Sequence, residues 1–101
     1  MIVYNVTINI NADVHDEFID WFKHIHLPEV MQTGMFTEYK FYKLLTRQHD
    51  ENGDTYVVQY FAKNIDDYNR YQQEFAPALQ QKTKSKFGDS VLAFRTIMEL
   101  Q

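Results

Sequence analysis

The residues with the most chemistry per unit length are His24, His26 and Glu29, in the run Lys23-His24-Ile25-His26-Leu27-Pro28-Glu29. Histidine exchanges protons near neutral pH, so His26 and Glu29 read as an acid–base pair at the mouth of a cavity. The competing role for Glu29 is structural: it stabilises the first turn of a short helix after Pro28. The same cluster invites a metal reading. Side chains two apart on a helix point roughly 200° away from each other, so an unbroken helix cannot chelate with both histidines. The HExxH spacing is also absent. The expectation is no metal and no cofactor, with His24 solvated and His26 helping to end the helix.

Arg95 is the second focus. It stands mid-strand between Ala93 and Ile97, on a face expected to be covered, and a buried guanidinium needs a partner. One partner is an anionic or carbonyl ligand, with Asn5 and Gln59 beside it. The other is a carboxylate such as Glu38 or Glu99. Trp21, with Phe18 and Phe22, either lines a pocket for a flat ligand or is plain core. Tyr56 and Tyr60 resemble the stacking aromatics of RNA-recognition sheets. The RNP pattern is missing and the net charge is −4, so nucleic acid is not expected as a partner. Lys82, Lys84 and Lys86 read as a solvated helix end.

These groups need elements to hold them. Ile2, Tyr4, Val6, Ile8 and Ile10 alternate with Val3, Asn5, Thr7, Asn9 and Asn11, a strand with one apolar face. Asp13 then suits an N-cap, and Phe18, Trp21, Phe22 and Ile25 recur on one helical face. Pro28 is expected to break that helix near His26 and to open a second short turn that stops at Gly34. Met35 to Arg47 and Thr55 to Ala62 read as a hairpin around a polar loop with an Asn52-Gly53 turn. Asn64 caps a second helix, whose apolar face is Tyr68, Tyr71, Phe75 and Leu79, and which Pro77 should kink or split. Val91 to Leu100 is the last strand.

The order strand, helix, strand, strand, helix, strand predicts a ferredoxin-like α+β fold over residues 1–101 as one domain. It is a four-stranded antiparallel sheet with two helices on one face and the first strand between the third and fourth. Leu92, Phe94 and Met98 are expected to face the helices. Val91, Ala93, Arg95 and Ile97 are expected on the other face, with Val3, Asn5, Thr7, Val57, Gln59 and Phe61. That bare face is apolar enough to predict a homodimer stacked sheet against sheet. Apolar residues are 45% of the chain, which supports a real core, and there is no cysteine. No apolar run approaches the ~20 residues that span a bilayer. No signal peptide is read at the start. A cytoplasmic protein without a membrane partner is expected.

YNVTINI (4–10), WFKHIHLPEVMQTGMF (21–36) and FGDSVLAFRT (87–96) together resemble a small, uncharacterised domain-of-unknown-function family of about this length. The resemblance covers essentially the whole chain. More distantly, the layout is similar to the dimeric α+β barrel superfamily, which includes cofactor-independent oxygenases, haem-degrading enzymes, isomerases and proteins with no known activity. What the resemblance implies is a fold and a dimer, with no catalytic residues to carry over. Three functions follow as expectations. The first is a homodimer that binds a small hydrophobic or anionic molecule. The second is an oxygenase- or isomerase-like enzyme using His26 and Arg95 in a cavity between sheet and helices. The third is a protein-interaction module using free sheet edges.

Overall fold

The computed structural model describes residues 1–46 and 53–101. Asn52, half of the expected Asn-Gly turn, lies outside the described residues. β1 (Ile2–Ile10), β2 (Glu38–Lys43), β3 (Asp54–Ala62) and β4 (Val91–Glu99) form one sheet in the order β2-β3-β1-β4, with every pair antiparallel. β1 is therefore central, between β3 and β4. Its strict alternation in sequence becomes strict alternation in burial, with Ile2, Tyr4, Val6, Ile8 and Ile10 all inside.

Between β1 and β2 runs one continuous helical stretch. It comprises a 3-10 turn (Ala12–Val14), α1 (His15–Trp21), a π turn (Phe22–His26) and α2 (Leu27–Gln32). Asp13 does not cap it: Asp13 lies inside the 3-10 turn, and Val14 precedes α1 without a side-chain cap. His15 ties the start of α1 to the sheet instead. Its Nδ1 lies 2.8 Å from the Asp16 carboxylate, and its Nε2 lies 2.7 Å from the Tyr56 hydroxyl. With the proton on Nδ1, Nε2 accepts from Tyr56.

Pro28 does not break the helix. His26 and Leu27 keep right-handed helical dihedrals, and Leu27 N–H donates to Phe22 O, five residues back. Pro28 has no N–H to give, so the ladder is already interrupted there, and a one-residue slip just upstream replaces the break. The slip moves the inward face. Leu27 and Val30 continue the buried line from Phe18, Trp21 and Phe22, while Ile25, expected inside, is 48% exposed.

The second helical stretch is split as Pro77 suggests, into α3 (Ile65–Glu74) and α4 (Ala76–Phe87). Asn64 caps α3 by accepting from the Asp67 N–H at 2.9 Å. Tyr71 and Leu79 are buried, with Tyr68 and Phe75 packed partly against them. No helix is long and apolar enough to cross a membrane among the described residues.

The parity of β4 corrects the expected faces. Tyr4 pairs with Ile97, Val6 with Arg95, Ile8 with Ala93 and Ile10 with Val91. Residues directly opposite share a face. Val91, Ala93, Arg95 and Ile97 thus lie on the helix-covered face, and Leu92, Phe94 and Met98 lie on the bare one. β4 has apolar residues at both parities, so alternation alone leaves its facing undecided. The bare face carries Val3, Val57 and Phe61 together with exposed Leu92, Phe94, Met98 and Tyr42.

Candidate functional site

Helices and sheet do not close completely on each other. Between them lies a narrow space of about 480 Å³, counted to its open mouth. β1 supplies Tyr4, Val6 and Ile8, and β3 supplies Val58 and Tyr60. β4 supplies Val91, Ala93 and Arg95, while α4 supplies Leu79, Gln80 and Thr83. Phe18, Phe22 and His26 come from the first helical stretch, and Tyr71 from α3. Ala93 is one reason there is space, because its small side chain sits where β4 passes under α4. Most of that figure is open mouth: the room left for the centre of a water-sized sphere is about 50 Å³, below the range of ordinary small-molecule pockets, so an occupant must be slender or must part the walls.

The π turn places His26 in this space. Its ring lies 5.2 Å from the Trp21 ring and 5.1 Å from the Phe22 ring, nearly parallel to the latter. Its Nδ1 is buried with no hydrogen-bond partner. Burial pulls its pKa down to about 4, against a smaller upward pull from Glu29, with Arg95 and Lys82 adding to the decrease. The imidazole is neutral at pH 7. Tyr4, Tyr60 and Tyr71 form the aromatic wall, with the Tyr4 ring 5.8 Å from Tyr60 and 5.9 Å from Tyr71. Burial raises the pKa of all three hydroxyls, with Arg95 opposing the shift in each. They are neutral hydrogen-bonding groups and not bases.

The expected site residues do not form one cluster. His26 and Arg95 line the same cavity. Arg95 is exposed at its mouth, not buried, and neither Glu38 nor Glu99 pairs with it. Glu29 is not joined to His26. It forms an ion pair with Lys82 at 2.5 Å, within the first turn of α2. Asn5 and Gln59 are cross-strand partners on the bare face, 3.4 Å apart side chain to side chain, with the sheet between them and Arg95. Trp21 packs on Phe18, Phe87 and His26 and borders a shallow groove between the helices. His24 is largely exposed and bonds to Asp20 on its own helix. Tyr60 is buried under the helices and Tyr56 shares its inward parity, so they are no stacking platform for bases. Among the described residues, no group of three His, Asp or Glu could hold a metal ion.

The residues not foreseen as site-forming are Tyr4, Tyr60, Tyr71 and Ala93. Tyr4 and Tyr71 lie on apolar faces that periodicity reveals. What periodicity does not reveal is that these faces stop short of full contact.

The family model described as "Domain of unknown function (DUF4286)" matches residues 1–101. Among curated proteins nothing matches the chain. Several solved structures share the fold. An ethyl tert-butyl ether d (EthD) family protein from Bacillus halodurans superposes with a TM-score of 0.74 at 13% identity, covering 100% of both chains. SnoaB, a cofactor-independent oxygenase from Streptomyces nogalater, gives 0.66 at 12%, over 99% of this chain and 92% of that one. A dimeric ferredoxin-like protein from an uncultured marine organism gives 0.67 at 12%, over 99% and 94%. These likenesses show a ferredoxin-like fold, and at such identities they carry the fold alone.

Proposed function

Because the chain belongs to the DUF4286 family, which has no assigned activity, we propose its role from its own cavity: it is a homodimer that binds a small hydrophobic or anionic molecule between sheet and helices. The observation that carries this reading is the buried, unpartnered Nδ1 of His26 in a wall that is otherwise largely aromatic and aliphatic. An unsatisfied buried nitrogen costs about 1–3 kcal/mol. A ligand with one well-placed polar atom would recover that cost. Arg95 supplies charge at the mouth, and Phe22 stacks on the His26 ring with Trp21 packed beside it.

The dimer is proposed on the bare sheet face. Leu92, Phe94 and Met98 are exposed there beside Asn5 and Gln59, and a second copy would cover them. Asn5 and Gln59 then belong to the interface and not to the cavity. The absence of cysteine fits a reducing cytoplasm.

A second reading is an oxygenase- or isomerase-like enzyme, with His26 taking a proton from the ligand. It is favoured by a neutral imidazole in an apolar cavity. Its weakness is that a pKa of about 4 makes a poor base at pH 7, and Glu29 is engaged by Lys82. Binding therefore ranks first.

Thermal-shift screening of small aromatic and aliphatic compounds tests the cavity. A ligand at 100 times its Kd stabilises by about 2.7 kcal/mol, a shift of several degrees. Ala93→Phe, which fills the space, should abolish every such shift. Compounds that stabilise both proteins equally would place binding elsewhere.

A further inference from the structure

We propose that the ligand is an organic monoanion: a slender or flat apolar body inside the cavity, carrying one carboxylate that Arg95 neutralises. This rests on the cavity reading above and adds the charge of the occupant.

The first support is charge balance. The chain has 14 acidic and 10 basic residues, yet no Asp or Glu lines the space between sheet and helices. Arg95 is its one ionised group. The mouth continues outward into a second hollow that shares Gln80, Thr83 and Arg95 and adds Lys84 and Asp89. Together the two spaces hold Arg95, Lys84 and Asp89, a net charge of +1, with His26 neutral.

The second support is what these cations lack. Arg70, Lys82 and Lys86 are each paired with a carboxylate, Glu74, Glu29 and Glu17 respectively. Arg95 and Lys84 have no such ion pair among the described residues. An apolar molecule that covered Arg95 would strip its water and give nothing back, which is strongly unfavourable. A carboxylate meets the planar guanidinium with two parallel hydrogen bonds. The Tyr4 hydroxyl lies close enough to Arg95 for the guanidinium to oppose the upward pull of burial on its pKa, which places the charge beside the aromatic wall. Behind it, Phe18, Phe22, Val58 and Leu79 offer surface for an apolar body.

The test compares matched probes by isothermal titration calorimetry: decanoate against 1-decanol, and 2-naphthoate against 2-naphthalenemethanol. At least one carboxylate should bind about tenfold or more tightly than its alcohol, as charge-assisted hydrogen bonds allow. Arg95→Gln should bring the pair within about threefold of each other, and Arg95→Lys should keep part of the preference. Arg95 is exposed, so both variants are expected to fold, which circular dichroism checks. Equal binding of acid and alcohol, or a preference that survives Arg95→Gln, overturns the monoanion while the cavity reading stands. If no probe binds the wild type, the cavity reading falls and the monoanion falls with it.

Discussion

A histidine held neutral beneath aromatic rings resists protonation, and that has a measurable cost in acid. The His26 pKa is near 4 when folded and near the ordinary 6.5 when unfolded. Between these values the unfolded chain binds more protons, so stability falls as pH falls through that window. The loss approaches about 1.4 kcal/mol per pH unit and about 3 kcal/mol in all, to order of magnitude. Urea melts at pH 6.5 and pH 4 should therefore show wild type losing more stability than His26→Gln, by roughly that amount. Equal losses would mean that His26 is solvated. The sequence singles out His26 by its neighbours Pro28 and Glu29, but not for its actual setting. Glu29, the obvious partner three residues on, turns outward to Lys82. The rings against His26 come from Phe22, four residues back as in any α-helix, and from Trp21, five residues back, a spacing that an α-helical period does not bring onto one face.

At the scale of elements, the two misjudged features share a cause: each depends on a one-residue phase. The helical wheel over Phe18 to Ile25 is correct until the π turn, after which every inward position moves by one. Pro28 signals an irregularity in the right place, but the chain resolves it by slipping and not by stopping. If this account holds, deleting the exposed Lys23 together with Pro28→Ala should convert the π turn to regular α-helix. His26 would then stand four residues after Trp21, on the same inward face. Nuclear magnetic resonance of the variant should find His26 still titrating far below 6.5. Titration near 6.5 would show that the π turn does more than set the phase. β4 is the parallel case. Val91, Ala93 and Ile97 at one parity and Leu92, Phe94 and Met98 at the other are equally apolar, and only pairing with β1 decides between them. β1 itself, the Asn64 cap and the split at Pro77 are legible because each has a local cause: alternation, a side-chain acceptor, a missing N–H.

For the whole molecule, the order of elements was sufficient to read the sheet topology, because each crossover has few alternatives once four strands and two helical stretches are recognised. The cavity was not legible, since it depends on how far two layers close. The bare sheet face leaves Leu92, Phe94, Met98 and Tyr42 exposed. Phe94 is 69% exposed at its edge, and covering such a face by a second copy would bury on the order of 1,200–2,000 Å² in total. Phe94→Asp should convert a dimer in sedimentation to a folded monomer, because the side chain contributes little within one protomer. An unchanged sedimentation coefficient would remove Phe94 from the interface. The proposal of a ligand-holding pair of chains meets its most direct test in native mass spectrometry of the purified protein at micromolar concentration. The expected spectrum shows two chains carrying a small organic molecule, whose added mass disappears in Ala93→Phe. A single chain without any adduct would contradict it.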